Sequence, residues 1–252
     1  LYVKTENLDE SQPEILRAAQ SKDAFLENVA ISKYPYMPDF KDTGKTGNGR
    51  AVIRRDNLGL ASKGLRADKV DYIIILTRNP LANVISRLTS EQATMQFIYG
   101  ESIESTGGNP DEAGNFKRVF FLDPFVAGNR LEHAMLFYTI VKKNRIRCYL
   151  ANTGTIGEND EKVTLRQSLA SYSDILRVQL RFGSEPDHLG YHFPIKSDRA
   201  NMDYMVSYPK FYDKEKLKSK VKDFFRGRQD FLEKFEEEWL SLIHISEPTR
   251  PY

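Results

Sequence analysis

The sequence holds a single cysteine, a single tryptophan and four histidines, and almost no net charge. One cysteine, Cys148, excludes an internal disulfide and fits a reducing compartment. Its apolar run, Cys148-Tyr149-Leu150-Ala151, reads as a buried inert thiol rather than a nucleophile. His133, His188 and His192 are scattered and have no cysteine or carboxylate partners at a ligand spacing, so they make no metal site by pattern. Gly190 argues against a helix that would present His188 and His192 together. A net charge of +2, from 37 basic and 35 acidic residues, predicts neither a nucleic-acid nor a membrane partner. No apolar stretch is long enough to span a bilayer and no signal peptide is visible, so a cytoplasmic location is expected.

What is present suits one large globular domain or two small ones: 252 residues, 40% of them hydrophobic. The chain opens on Leu1, which reads as a cut start. The stretch Leu240 to Arg250 resembles a translated sequencing-library adapter, so residues 240–252 are expected to be a non-native tail and residues 1–239 to carry the fold.

Ser11-Gln12-Pro13-Glu14 has helix-start chemistry and predicts a helix to about Gln20, with a short second one at Ala24 to Asn28. Tyr34 to Asp56 reads as loop with strand pieces. Val70 to Thr77, Arg118 to Leu122 and Arg147 to Ala151 read as strands. Thr89 to Tyr99, Asn129 to Lys143, Arg166 to Leu180 and Asp213 to Trp239 read as helices, the second with a stripe of Leu131, Met135, Tyr138 and Val141. Glu101 to Gly114 reads as loop. This alternation predicts an α/β (mixed α+β) fold, a mixed sheet with flanking helices. Ligands in such folds bind at carboxyl ends of strands, where three loops are expected: Arg78 to Leu88, Asp123 to Gly128, and Asn152 to Asp160.

Gly44-Lys45-Thr46 imitates a phosphate loop but lacks the earlier glycine, the preceding strand and the following helix. Spacing alone favours a solvated loop cation or a surface ion pair for Arg50 over a ligand contact. Arg87 lies between a strand and a helix, and could either hold an anion or pair with Glu91. Glu14 is accounted for by a capping box. Lys214 to Arg228 with Phe224 and Phe225 could serve nucleic acid, but the acidic continuation favours an amphipathic helix.

Words, rather than spacings, point further. Tyr2-Val3-Lys4-Thr5, Pro13-Glu14-Ile15, Leu26-Glu27-Asn28-Val29, Lys45-Thr46-Gly47-Asn48-Gly49-Arg50, Ser86-Arg87-Leu88-Thr89 and Asn152-Thr153-Gly154 occur in order. Together, from Leu1 to about Leu176, the chain resembles ATP-dependent phosphoenolpyruvate carboxykinase downstream of that family's phosphate loop. The resemblance implies a partial nucleotide-binding domain of the carboxykinase fold. It implies conversion of oxaloacetate and ATP to phosphoenolpyruvate, carbon dioxide and ADP. Arg50 inherits a catalytic contact with phosphate and substrate, and Lys4, Glu14, Lys162, Val163 and Ser168 inherit nucleotide contacts. ATP is then a substrate, and the implied divalent metal (Mg or Mn) takes its ligands from family segments upstream of this chain. Gly47 and Gly49 stand where the family has Glu and Thr, so a more flexible loop is expected around Arg50. Lys162 replaces an arginine able to stack on a base. Two rival readings are a non-catalytic nucleotide-binding relative and a basic-helix interaction module.

Overall fold

The computed structural model describes residues 1–6, 8–10, 12–42, 44, 48–59, 67–104, 112–120, 128–199 and 211–246, the last twelve by backbone alone. The chain divides into two compact units, Leu1–Asp68 and Lys69–Tyr252.

In the first unit, β1 (Tyr2–Lys4), β5 (Arg50–Val52) and β2 (Phe25–Glu27) form an antiparallel sheet with β5 in the middle. Strand alternation sends Val3, Ala51 and Leu26 to one face, where they pack with Leu8, Phe40, Ile53 and helix α1 (Pro13–Ala19). A small hairpin, β3 (Ala30–Ile31) with β4 (Pro38–Asp39), completes the unit. The expected helix at Ala24 to Asn28 is therefore a strand. Leu26 alone of β2 turns inward, the period is two rather than 3.6, and Asn28 ends the strand at φ 52°. The expected capping box of α1 also differs. Gln12 is the cap residue and makes no side-chain cap bond, Pro13 opens the helix, and Ser11 lies outside the described residues.

The second unit is built on a five-stranded mixed sheet. Its order is β13 (Arg181–Pro186), β14 (His192–Lys196), β7 (Ile85–Leu88), β10 (Arg147–Asn152), β6 (Tyr72–Thr77). Only β10 and β6 run parallel, in register from Arg147 opposite Tyr72 to Asn152 opposite Thr77. Such a pair needs a long crossover, which carries α2 (Ser90–Tyr99) and α3 (Arg130–Lys143). β6 is an edge strand, and its Leu76 is 57% exposed.

Thr89 starts α2 with a capping box to Gln92, Asn129 caps α3, and Thr164 caps α4 (Leu165–Leu176) with Gln167. The inward face of α3 is Ala134, Phe137 and Val141; Val141 belongs to the expected stripe, whereas Met135 of that stripe is exposed. The small Ala134 lets Phe97 of α2 stack on Phe137, with ring centroids 4.8 Å apart. The expected loop after α2 opens with β8 (Glu101–Ile103), which pairs with β9 (Phe116–Arg118) just beyond the loop's end. Residues 105–111 and 121–127 lie outside the described residues, including Leu122 and the loop expected at Asp123. α4 ends at Leu176, short of the expected Leu180, and Val178 turns the chain at φ 58°. The last helix, α5, runs Lys214–Ser246.

Helix α5 is tied to the β8–β9 hairpin by ion pairs. Glu101, almost wholly buried, accepts from Arg228 Nε (2.9 Å) and Nη2 (2.6 Å) and from Arg118 Nε (3.0 Å). Arg228 also reaches Tyr191 Oη at 2.7 Å and lies against the rings of Tyr99 and Phe224. Arg118 donates to the Phe224 carbonyl at 2.8 Å. It passes at Gly227, where an added Cβ would come within 2.5 Å of its Nη1, which accounts for a glycine inside a helix. Removing Arg228 loses its two bonds to Glu101, which keeps Arg118 as a partner, and takes a donor from Tyr191 Oη, a loss of about 1–3 kcal/mol. Arg228→Ala should therefore lower stability by that order in urea unfolding, while exposed Arg226→Ala should change it by less than about 0.5 kcal/mol.

Candidate functional site

On the open face of the first unit's sheet, β1, β5 and β2 carry two cross-strand rows. One is Lys4, Arg50, Glu27; the other is Tyr2, Val52, Phe25. Lys4 and Arg50, 46 positions apart in sequence, are thus direct neighbours on a β-sheet. The Lys4 ammonium pairs with Glu6, and Arg50 Nη1 donates to the Gly49 carbonyl at 3.0 Å. Tyr2 Oη donates to Glu27 Oε2 at 2.9 Å, and this bond to a carboxylate is the first cause of the raised Tyr2 pKa. Arg50 is part of a strand, not of the solvated loop that spacing suggested.

Gly49 is not simply a flexible neighbour of Arg50. Its carbonyl accepts from Thr5 N at 3.0 Å, and an added Cβ would lie 2.6 Å from Thr5 Oγ1 and 3.3 Å from the Asn28 carbonyl. Thr5 is buried, so the approach is tight and Gly49 is required by packing. Lys45, Thr46 and Gly47 lie outside the described residues. Glu14 sits in the first turn of α1, which packs on the other, core-facing side of the sheet, and its carboxylate lies against Gly59. The first unit therefore brings Lys4 and Arg50 together and keeps Glu14 apart from them.

In the second unit the parallel pair β6 and β10 ends beside a cavity of about 340 Å³, whose polar lining includes Arg78, Ser102, Glu104, Lys117 and Thr153. Lys117 is compensated by Glu104 at 3.3 Å and by Glu112. The two strand ends are held by Asn152, a residue whose structural role its sequence context did not reveal. Fully buried, its Nδ2 lies 3.0 Å from the Asn79 carbonyl, 3.1 Å from that of Ala82 and 2.9 Å from that of Thr155; its Oδ1 accepts from Gly154 N at 2.9 Å. Gly154 runs so close to Arg78 that an added Cβ would be 2.9 Å from the Arg78 Cβ.

From this loop β11 (Thr155–Ile156) pairs with β12 (Glu161–Lys162), and Val163 N returns to the Gly154 carbonyl at 2.9 Å. Lys162 is exposed, Val163 packs on the core, and Ser168 is buried on α4 and bonded to Tyr172. These three form one continuous segment that starts at the β10 strand end.

Other candidates have different tasks. Arg87 is on β7, opposite Tyr149 and His192, with its guanidinium over the Phe182 ring at 5.4 Å. Arg78 to Leu88 is therefore only partly a loop. Glu91 is bonded instead to Tyr138 (3.0 Å) and Lys142 (3.4 Å). Its carboxyl is held down to about 2, first by its own backbone N–H and then by Tyr138. His188 Nε2 lies 2.7 Å from the Leu81 carbonyl and His192 Nδ1 3.0 Å from that of Gly183. Burial pushes the Cys148 thiol up to about 11, in keeping with an inert residue. Among the described residues no helix is long and apolar enough to cross a membrane.

A sequence model described as phosphoenolpyruvate carboxykinase matches residues 1–199. The chain belongs to the phosphoenolpyruvate carboxykinase family. It is 28% identical over 240 residues to the phosphoenolpyruvate carboxykinase (ATP) of Aeropyrum pernix, covering 92% of this chain and 46% of the relative. It is 32% identical over 162 residues to the enzymes of the same name from Rhizobium johnstonii and Azorhizobium caulinodans, covering 62% of this chain and 30% of each relative. The chain thus spans less than half the length of these curated relatives. The mixed sheet with flanking helices agrees with a partial carboxykinase domain.

The steric finding at Gly49 can be checked directly. Gly49→Thr, which installs the threonine of the family word, should destabilise the chain by about 1–3 kcal/mol in denaturant unfolding, because the new methyl and hydroxyl must displace Thr5.

Proposed function

We propose that this chain is the nucleotide- and substrate-contacting part of an ATP-dependent phosphoenolpyruvate carboxykinase, a carboxy-lyase acting in gluconeogenesis. The observation that carries the reading is the cross-strand neighbouring of Lys4 and Arg50 on the open face of a three-stranded sheet. Family membership supports it further. On this reading residues 1–239 are part of the C-terminal nucleotide-binding domain, residues 240–252 are a non-native tail, and the protein is cytoplasmic.

The reaction decarboxylates oxaloacetate to an enolate, whose oxygen takes the terminal phosphoryl group of ATP and leaves ADP. Negative charge gathers on enolate and phosphate oxygens, and preorganised cations stabilise it. Arg50 suits that task because a planar guanidinium presents paired donors to phosphate oxygens, and strand pairing on both sides restrains its backbone. Lys4 adds a second, point-like cation in the same row. Glu14 would accept from ribose or base, and Lys162, Val163 and Ser168 would line the adenosine side. Val163 offers the apolar contact. Ser168 acts through Tyr172 or after a rotamer change, since it is buried.

A divalent metal implied by the family does not fit the residues in hand. Among the described residues no three histidine, cysteine or carboxylate side chains are grouped to hold one.

Two outcomes test the reading. The isolated chain should give no oxaloacetate- and ATP-dependent phosphoenolpyruvate, measured by coupled assay, because the expected phosphate loop and metal ligands are not among its residues. In the full-length protein Arg50→Ala should lower turnover by orders of magnitude with an unchanged circular dichroism spectrum. Turnover near wild type would remove Arg50 from the catalytic role.

A further inference from the structure

The cavity where β6 and β10 end has no part in the proposed reaction. It measures about 340 Å³, within the roughly 300–1,000 Å³ of small-molecule sites. It also lies where ligands of such sheets bind, at the carboxyl ends of strands. Leu76, Ile103 and Val119 give its lining an apolar part, and Leu76 and Val119 are 57% and 46% exposed. One exposed apolar side chain means little, but several grouped in one concave wall mark a place for an apolar ligand.

Charge in the lining does not cancel. Lys117 is offset by Glu104 at 3.3 Å, which leaves Arg78 over. Among the described residues the Arg78 guanidinium has no hydrogen-bond or ion-pair partner. The root of this side chain is nonetheless fixed. Arg78 N donates to Ser102 Oγ at 3.2 Å, and the Thr77 carbonyl just before it accepts from Thr153 N at 2.8 Å. A Cβ added to Gly154 would lie 2.9 Å from the Arg78 Cβ and 3.3 Å from its Cγ, so the glycine leaves the room that the arginine stem fills. A held stem with an unpaired head is a preorganised anion receptor.

The same lining limits which anion it takes. Helix α2 ends there at Gly100, so the negative end of a helix dipole meets the cavity. One uncompensated cation, opposed by that helix end, suits a single negative charge better than a doubly charged phosphate. A carboxylate accepts the paired N–H donors of one guanidinium. Oxaloacetate and phosphoenolpyruvate carry more charge and little apolar surface, so neither matches.

We infer that this cavity binds a small monocarboxylate with an apolar body, the acid group held by Arg78 and the carbon chain by Leu76, Ile103 and Val119. The site lies in the second unit and rests on no role of Lys4 or Arg50, so it stands or falls separately from the carboxykinase reading.

Isothermal titration calorimetry of the whole chain with hexanoate tests this, with hexanamide, acetate and hexyl phosphate as comparisons. Hexanoate should bind saturably to one site. Hexanamide lacks the charge and acetate lacks the body, so each should bind about tenfold more weakly or worse. Hexyl phosphate should bind no more tightly than hexanoate. Arg78→Gln should bring hexanoate down to the level of hexanamide, and Val119→Trp, which fills the cavity, should abolish hexanoate binding. Both replaced side chains are exposed, so circular dichroism of either variant should match wild type. Lack of saturable binding, equal affinity for hexanoate and hexanamide, or tighter binding of hexyl phosphate would overturn the proposal. So would hexanoate binding that survives Arg78→Gln or Val119→Trp unchanged.

Discussion

The larger unit depends on one carboxylate. Glu101 lies almost wholly out of water and receives two guanidinium groups, from Arg118 and Arg228, while its backbone carbonyl accepts from Thr77 Oγ1 at 2.6 Å. Two cations on one anion leave an excess positive charge in a region of low polarity, where desolvation is costly. The surrounding rings lessen it. Arg228 faces Tyr99 at 4.6 Å and Phe224 at 4.5 Å, and Arg118 lies 5.0 Å from Phe224. Tyr191 Oη accepts from Arg228 and lies against Gln96 of α2. Through this cluster α2, α5, the β8–β9 hairpin and the end of β6 share one set of polar bonds. The cavity at the strand ends has walls drawn from the same pieces.

Where local chemistry settles an element, the sequence was readable. Thr89 with Gln92 and Asn129 before Arg130 mark helix starts because a side-chain oxygen there satisfies otherwise unpaired N–H groups. The apolar run at Cys148 read as a strand because nothing polar interrupts it. Where a long-range partner decides, the sequence misled. Phe25–Glu27 has no strand signature of its own and becomes one because β5 lies beside it. The face of α3 was chosen by side-chain apolarity, whereas Ala134 turns inward because the neighbouring helix needs a small residue.

The candidate site follows the same division. The proximity of Lys4 and Arg50 depends on strand register and could not be read across 45 intervening residues; the family words gave each a ligand contact without placing them side by side. Asn152 was recognised as part of a word and read as loop. Its work is to hold two strand ends through carbonyls around seventy positions upstream, and such contacts leave no local pattern. Gly49 was read through its missing side chain as freedom of movement. In the fold the missing side chain is room for Thr5.

The row on the first unit's sheet has an electrostatic consequence. Strand pairing sets two cationic side chains at directly opposite positions, and like charges so placed oppose the pairing that holds them. The chain relieves this internally: Glu6 neutralises Lys4, and Arg50 turns to a carbonyl. On the proposed reading, an arriving phosphate must compete with Glu6 for the ammonium, while the guanidinium gives up a neutral carbonyl and has Glu27, already bonded to Tyr2, opposite it in the row. Discrimination by charge would then fall to Lys4, since only a multiply charged anion outbids an internal carboxylate. Arg50 would receive any oxyanion of suitable shape, and the two cations would act in series as a threshold for ligand charge and a grip for ligand geometry.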